Sequence, residues 1–236
     1  MELSFTKLRI YRECPWKYRI QFVEGRRTPL SPAGSLGLSL HRALERFHGR
    51  HCPPPGELRR GFEERFLAAG YPDAEARRTW LAKGVRILER YEAADLERRT
   101  EVVCVEREFV YPLGGHEARG MIDRVDRHPD GRLEIIDYKT AAGAHAEPAD
   151  VLQLRFYGLG VKESFAWQPA LLSDYFIADI RKETFPYDPA GEDELKSLIV
   201  RTAGLIEAGG FAPDTSFCPR CVFRDDCVHS PAEERT

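Results

Sequence analysis

The sequence predicts an α/β fold with a central mixed sheet flanked by helices, an N-terminal helical lobe and a C-terminal cysteine segment. Three patterns support this prediction. Apolar residues recur at helical spacing over much of residues 1–99. Residues 101–138 contain three strand-like stretches separated by turn residues. Helical and strand-like stretches then alternate from residue 149 onward, an order that is typical of a sheet covered by helices.

The N-terminal part predicts five helices. The first begins after Ser4, whose hydroxyl suits an N-cap, and the second begins at Pro15, a residue favoured in a first helical turn. The Pro, Ser and Gly content of residues 28–34 predicts a loop. Three further helices are expected over residues 35–48, 57–69 and 73–98.

The central part predicts three consecutive strands, over residues 101–111, 117–127 and 132–138. Turns are expected at residues 112–115 and 129–131, where Pro and Gly cluster. The remaining elements are a helix, two strands and a last helix, over 149–163, 170–179, 183–187 and 191–208. The last helix is expected to end at Gly209-Gly210.

Composition and charge exclude some classes of protein. The 236 residues are 42% hydrophobic and 31% charged, as in ordinary globular proteins. No apolar run approaches the ~20 residues of a membrane span, and the N-terminus has no signal-peptide core. We therefore expect a cytoplasmic protein with no membrane partner. The net charge of -3 means that any site for a polyanion must be a local basic path. Candidate residues for that path are Lys17, Arg19, Arg26, Arg27, Arg124 and Arg155.

The second and third strands carry two carboxylates and an ammonium group. Asp123 lies on one strand, and Asp137 and Lys139 share a face of the next because side chains alternate. Such groups suit Mg²⁺ and the stabilisation of charge on phosphate. The alternative is an ordinary hairpin with surface charges, in which Asp123 pairs with a neighbouring arginine. The apolar residues 133, 135 and 136 just before Asp137 weaken that alternative, since they place this end of the strand in the core.

These residues belong to a longer set of motifs. The hairpin reads Gly-x-Ile-Asp-Arg over 120–124 and Asp-Tyr-Lys-Thr over 137–140, with Gly37-x-x-x-His41 upstream and Gln153-x-x-x-Tyr157 downstream. This order and spacing resembles the RecB-like branch of the PD-(D/E)XK nuclease superfamily. The resemblance implies a restriction-endonuclease-like core. Ile122 stands where the superfamily's name has proline, but proline is no metal ligand.

The resemblance also implies roles for individual residues. His41, Asp123 and Asp137 would ligate Mg²⁺ or Mn²⁺, with the carbonyl of Tyr138 as a further ligand. Lys139 would be the catalytic lysine, acting with the two aspartates. Gln153 and Tyr157 would contact DNA or support the site, since they lie one helical turn apart. Glu108, on the first strand, is expected to be a surface carboxylate.

The six cysteines fall into two groups. Cys52 and Cys104 have no partner at a ligand spacing and are expected to be structural. Cys218, Cys221 and Cys227 have the spacing C-x2-C-x5-C and need a fourth ligand for a zinc ion or a cubane cluster. Cys14 is the first candidate for that ligand and His229 the second. The layout resembles iron–sulfur nucleases of the RecB-like branch, including the AddB nuclease domain and CRISPR-associated exonucleases, which implies a 4Fe–4S cluster; zinc is the alternative.

The leading hypothesis is a metal-dependent DNA nuclease, with an exonuclease favoured over an endonuclease. Its substrate would be single-stranded DNA or DNA with free ends. No G-x-x-x-x-G-K-[ST] signature occurs, so unwinding would come from a helicase partner. DNA repair or recombination and CRISPR adaptation, with its own partner proteins, both remain open. The rival hypotheses are a non-catalytic nucleic-acid-binding module and a zinc-stapled structural protein on the same fold.

The expected organisation is one nuclease domain over residues 1–230. Within it we expect a helical part (1–99), a catalytic core (100–187) and a segment with a helix and the cluster ligands (188–230). Residues 231–236 are expected to form a disordered tail because they are short, polar and terminal.

Overall fold

The computed structural model of the protein describes residues 1–50, 53–141, 143 and 145–231, with the backbone alone at 148 and 149. Its contacts divide the chain into two compact units. Unit 1 comprises Met1–Thr28, Val110–Gly120 and Pro189–Thr236, and unit 2 comprises Pro29–Phe109 and Met121–Asp188. Cys52 and residues 232–236 of the expected tail lie outside the described residues. The expected single domain over 1–230, with its three parts, stays a prediction.

The helices of unit 2 are α3 (Pro32–His48), α4 (Glu57–Arg65), α5 (Ala74–Asp95) and α6 (Pro148–Phe165). Helix α3 begins three residues earlier than predicted, so residues 32–34 are helical and do not belong to the loop. The reason is local: the Ser31 hydroxyl accepts a hydrogen bond from Gly34 N at 3.1 Å, and Pro32 occupies the first helical position.

Two helices of unit 2 are shorter than predicted. Helix α4 ends at Arg65, four residues early, because Phe66 leaves the helix to become buried and Leu67 N donates a hydrogen bond to Ser39 Oγ. Helix α5 begins after the N-cap Asp73 and ends at Asp95, three residues early. There the Arg98 guanidinium bonds back to the Asp95 carboxylate at 3.0 Å, which closes the helix end.

The strands form the predicted mixed sheet. They are β2 (Glu101–Leu113), β3 (His116–Arg127), β4 (Leu133–Lys139), β5 (Pro169–Phe176) and β6 (Arg181–Pro186). In unit 2, β3 and β4 are antiparallel, β4 and β5 are parallel, and β5 and β6 are antiparallel. Strand β2 also pairs with β3. The predicted order of strands is correct, and their ends differ by at most three residues.

The core of unit 2 lies between helices α3 to α5 and the central strands. Leu40, Leu44 and Leu88 are fully buried there with Tyr91 and Ile136. Each such apolar side chain stabilises the fold by about 1.5–3 kcal/mol through removal from water. Because α3 and β4 share this core, the polar residues they carry at its edge are held in fixed positions.

Unit 1 contains the two chain-terminal segments. Its elements are β1 (Glu2–Ser4), α1 (Phe5–Glu13), α2 (Pro15–Tyr18), a π-helical turn (Arg19–Val23), α7 (Glu192–Glu207) and a 3₁₀ helix (Thr215–Arg220). The predicted N-cap is confirmed, since Ser4 Oγ accepts from Lys7 N. Strand β1, which was not predicted, pairs in parallel with residues 117–119 of β3. Three residues are too few to show an alternating pattern.

Among the residues that the structure describes, no helix is both long enough and apolar enough to cross a membrane.

Candidate active site

Helix α3 brings His41 to strand β3. His41 Nδ1 lies 3.3 Å from Asp123 Oδ1. Gly37, one turn earlier on the same face, makes this approach possible: a Cβ at that position would lie only 3.2 Å from Thr140 Oγ1, directly after β4. Sterics therefore explain why the Gly-x-x-x-His motif has glycine at position 37: the absent side chain lets α3 pack close to the end of β4.

Asp123 links β3 to β4. Its Oδ2 accepts a hydrogen bond from Tyr138 N at 2.7 Å, while Oδ1 faces His41. The two carboxylate oxygens therefore have separate partners on two elements. The ligand role expected for the Tyr138 carbonyl stays a prediction.

A glutamate of β2 completes this group, and the sequence reasoning missed it. Donor atoms of His41, Glu106 and Asp123 all lie within 4.8 Å of one another. Glu106 has a φ of 43°, in the left-handed region, which breaks the regular alternation of β2. Glu108, two residues later, is exposed, as expected. Backbone irregularity of this kind leaves no signature in the residue types, so alternation alone could not single out Glu106.

Lys139 lies among carboxylates. Its Nζ is 2.9 Å from Asp137 Oδ2, as their shared strand face predicts, and 2.8 Å from Asp150 Oδ1. A third carboxylate, Asp174 Oδ1, lies 3.5 Å away. Burial works against the charge, but Asp137 and the other two carboxylates outweigh it and raise the pKa of Lys139. The ammonium group is therefore charged and fixed in place.

Asp150 and Asp174 were not among the predicted site residues. Asp150 stands in the first turn of α6, and Asp174 stands opposite Asp137 in the β4–β5 register. Asp174 is fully buried, which raises its pKa to about 6. A charged residue within the apolar strand β5 was a signal that could have identified Asp174, because buried carboxylates need a nearby cation.

Helix α6 supports the site through the predicted pair. Gln153 Nε2 donates to Asp137 Oδ1 at 3.2 Å and to the Tyr157 hydroxyl at 2.7 Å, while its Oε1 accepts from Lys139 Nζ at 3.2 Å. The amide therefore bridges the Asp137 and Lys139 side chains. Gln153 and Tyr157 face the site together, as their spacing predicts.

The electrostatics of the site favour a bound cation. Burial, followed by the negative charge of Asp123, raises the pKa of Asp137 and raises that of Glu106 to about 7. Burial lowers the pKa of His41, but the hydrogen bond and charge of Asp123 outweigh it and raise that pKa to about 9. These shifts reflect carboxylates crowded in a buried site. Carboxylate and imidazole donors suit Mg²⁺ or Mn²⁺, so the residues present fit such an ion.

The opposite face of the hairpin carries a buried polar network. Arg124 is 3% exposed and is paired with Asp126, and its Nη1 donates to the Tyr91 hydroxyl at 2.9 Å and the Tyr138 hydroxyl at 3.2 Å. The expectation that Arg124 lines a DNA path is therefore wrong. Because side chains alternate, a residue next to Asp123 points into the core, where the guanidinium needs these partners.

The four clustered cysteines line one cavity of unit 1, which we call the cysteine cavity. Cys14, Cys218, Cys221 and Cys227 surround it together with His229. Cys14 Sγ accepts a hydrogen bond from Asp214 N at 3.4 Å, as sulfur ligands of metal centres commonly do. Burial raises the pKa values of Cys218 and Cys221, so a metal would have to displace their protons. The four thiols fit a metal centre because thiolates are metal ligands and because all four line the same cavity.

The cysteine sulfur atoms do not form a compact set of three donors. Among the described residues, one set of three or more potential metal ligands has donor atoms within 4.8 Å of one another, and that set is His41, Glu106 and Asp123. The four thiols are near enough to influence one another electrostatically, since after burial Cys227, Cys221 and Cys14 all contribute to the raised pKa of Cys218.

Curated relatives of the chain are helicase/nuclease proteins. It is 30% identical over 158 residues to an ATP-dependent helicase/deoxyribonuclease subunit of Streptococcus equi subsp. zooepidemicus, strain H70. It is 27% identical over 153 residues to the protein of the same name from Streptococcus pyogenes serotype M49. Each match covers 60% of this chain but only 14% of the relative. The matched region is thus a small part of those longer proteins.

A solved structure shares the fold. A crystal structure described as a candidate exonuclease from Eubacterium rectale superposes with a TM-score of 0.59, at 12% identity, over 98% of this chain and 90% of that one. At this identity the likeness shows the fold alone, and it agrees with the predicted restriction-endonuclease-like core. Residues 2–228, nearly the whole chain, match a family model described as the PD-(D/E)XK nuclease superfamily. The chain therefore belongs to the PD-(D/E)XK nuclease superfamily.

Proposed function

We propose that the protein is a divalent-metal-dependent deoxyribonuclease whose active centre lies between α3, β2, β3 and β4. The observation that supports this most is the pairing of a charged lysine with a metal-binding set. Lys139 is held 2.9 Å from Asp137, and Asp123, His41 and Glu106 face one another across the neighbouring strands. Such a site offers a cation and a fixed ammonium group to a phosphodiester.

In this proposal His41, Asp123 and Asp137 hold the metal, with the Tyr138 carbonyl and Glu106 as further ligands. The bound ion would supply Lewis-acid chemistry and lower the pKa of a bound water. Lys139, with its ammonium group fixed by three carboxylates, stabilises negative charge on the phosphate and orients the attacking water. Gln153 holds the Lys139 and Asp137 side chains in this geometry, and Tyr157 in turn positions Gln153.

We favour an exonuclease that acts on single strands or free ends beside a helicase in the cytoplasm. The names of the streptococcal relatives contain both a helicase and a deoxyribonuclease, which supports the helicase partner. DNA repair or recombination and CRISPR adaptation are the two alternative contexts.

A nuclease assay with an isosteric variant tests the proposed chemistry. Wild-type protein is incubated with end-labelled and circular single-stranded DNA in Mg²⁺, Mn²⁺ or EDTA, beside Asp123→Asn. The matched control is Asp130→Asn, an exposed aspartate in the turn of the same hairpin. We expect cleavage by wild type and control in Mg²⁺ or Mn²⁺, and none by Asp123→Asn. Resistance of the circles would support an exonuclease, whereas metal-dependent binding without cleavage would favour the non-catalytic module.

We propose further that the cysteine cavity holds a 4Fe–4S cluster. Four thiols from both terminal segments line it, and four thiolates are the ligand set of a 4Fe–4S cluster. Purification without oxygen, followed by visible absorption and iron, sulfide and zinc analysis, tests this. About four irons and four sulfides per chain are expected. Stoichiometric zinc in a colourless protein would contradict the cluster and favour a zinc site, in which His229 could replace Cys14.

A further inference from the structure

An open groove runs along helix α3 in unit 2. Its volume is about 800 Å³, and its walls carry Arg42, Arg46, Arg50, Arg65, Glu45 and Val105 together with Gly49. Arg42 and Arg46 are spaced four residues apart, so they lie on one face of α3, and Arg50 follows the end of the helix at His48. Arg65, at the end of α4, faces the same groove. We call these residues the arginine groove.

The positive charge of the arginine groove is only partly neutralised. Arg50 Nη1 lies 2.7 Å from Glu57 Oε1, and Arg46 Nη2 lies 3.8 Å from the same atom. Glu57 is buried and must also neutralise Arg60. Arg42 and Arg65 are exposed, and neither has an ion pair within the described part of the chain. At least two guanidinium groups thus face the groove with their charge uncompensated.

The groove lies beside the elements that carry His41 and Glu106, because residues of α3 and β2 line it. The two walls meet where a Cβ on Gly49 would lie 3.7 Å from Val105 Cγ2. Glu45 of the groove is close enough to Glu106 that its charge contributes to the raised pKa of that carboxyl. A chain lying in the groove would therefore pass close to Glu106, one of the three residues of the metal-binding set.

We propose that the arginine groove binds the phosphate backbone of a single-stranded DNA segment that leads to or from the active site. This inference rests on the proposed nuclease function and adds the path of the substrate to it. Guanidinium groups pair with phosphate oxygens through paired hydrogen bonds, and several of them along one groove can hold a backbone without reading bases.

Binding without turnover tests the groove directly. The full chain is titrated against a fluorescent oligo(dT) in EDTA over a range of salt concentrations. The test variant is Arg42→Gln with Arg65→Gln, and the control is Arg77→Gln with Arg78→Gln, two exposed arginines of α5 outside the groove. We expect affinity to fall about tenfold or more in the test variant only. The salt slope should fall by about 1.4, given about 0.7 per lost phosphate contact on single strands.

A charge-conserving pair, Arg42→Lys with Arg65→Lys, checks that the loss is electrostatic, and it should keep most of the affinity and the salt slope. Equal DNA affinity of the test variant and wild type would overturn the proposal that the groove binds DNA. An equal loss of affinity in the control variant would overturn it as well. Hydrolysis by wild type is measured in parallel with Mn²⁺. If wild type hydrolyses DNA and the test variant binds DNA as well as wild type does, DNA binding by the groove is refuted and the nuclease function is not. If the test variant binds DNA more weakly and wild type does not hydrolyse it, the nuclease function is refuted and DNA binding by the groove is not.

Discussion

His41 Nδ1 lies 3.3 Å from Asp123 Oδ1, which joins the middle of helix α3 to strand β3 at the metal-binding set. This contact depends on the packing of two segments, α3 and the end of β4, that are distant from each other in sequence. The Gly37 backbone must approach Thr140, and the apolar side of α3 must pack against β4. Substitutions at His41 and Gly37 should therefore affect metal binding and helix packing, respectively.

Metal affinity should depend on pH through His41. Asp123 raises the pKa of His41 to about 9, so the imidazole is protonated at neutral pH and a metal must displace that proton. Mn²⁺ affinity is therefore expected to rise as pH increases from 6 to 9, with proton release on binding. Calorimetry in buffers of different ionisation enthalpy measures both quantities. In His41→Gln the dependence should flatten above pH 8, while Glu106, with a pKa of about 7, keeps part of it at lower pH. An unchanged dependence between pH 8 and 9 in His41→Gln would exclude His41 as a ligand.

Gly37→Val should impair the site through its close contact with Thr140. A Cβ there already lies 3.2 Å from Thr140 Oγ1, so a branched side chain must push α3 away from β4. We expect DNA cleavage to fall more than tenfold and thermal stability to decrease. Gly204→Ala in α7 is the control, because nothing lies within 4 Å of its Cβ. That substitution should be neutral or should stabilise the fold by up to about 1 kcal/mol through helix propensity.

Removing the Thr140 side chain refines this test. If the clash is the cause, Thr140→Ala combined with Gly37→Ala should be closer to wild type in activity than Gly37→Ala alone. Activity that is unaffected by Gly37→Val would show that α3 tolerates a shift, contrary to the packing described above.

His48 should make the fold sensitive to acid. Its ring lies between the Tyr91 hydroxyl and Arg124, and burial followed by the charge of Arg124 lowers its pKa to about 3. In the unfolded chain the pKa of His48 is near 6.5, so between pH 6.5 and 3 this residue binds more protons in the unfolded state than in the folded state. Stability is therefore greatest above pH 6.5 and falls as pH decreases, by up to about 1.4 kcal/mol per pH unit.

Urea unfolding between pH 4 and 8 measures this effect. His48→Gln should remove part of the slope below pH 6.5 while lowering stability at pH 8, where it perturbs the polar network around Arg124. His145→Gln, at an exposed histidine, provides the comparison for the loss of one imidazole. Identical slopes in wild type and His48→Gln would contradict the buried, neutral imidazole.

Cys14 should be needed for the 4Fe–4S cluster that we propose in unit 1. Cys14→Ser replaces one thiol of the cysteine cavity, so we expect loss of iron and visible absorption and faster proteolysis of the terminal segments. Cys104→Ser is the matched control, because Cys104 lies on β2 in unit 2. Full metal content in Cys14→Ser would show that another residue, such as His229, completes the centre.

Local patterns predicted much of the fold. Ser4, Pro15 and Gly209 mark helix ends through their own backbone chemistry, and alternation placed Asp137 and Lys139 on one face. Helical spacing placed Gln153 and Tyr157 together. These features arise within a few residues, so the sequence pattern contains them.

Features set by distant contacts could not be predicted in this way. The positive φ of Glu106, the pairing of strand β1 with β3 and the meeting of Asp150 and Asp174 around Lys139 all depend on tertiary packing. Arg124 was misplaced because its charge suggested solvent, whereas Asp126 and two tyrosines satisfy it in the core.

The rate of DNA cleavage by Lys139→Ala tests the central claim most directly. The comparison is with wild type and with Lys83→Ala, a lysine of α5 outside the site, at saturating Mn²⁺ and with folding checked by circular dichroism. Loss of the fixed ammonium group should lower kcat by about 10²–10³-fold, as for other groups that stabilise charge in a transition state. An unchanged kcat in a folded Lys139→Ala would contradict the catalytic role of this lysine and the active site built around it.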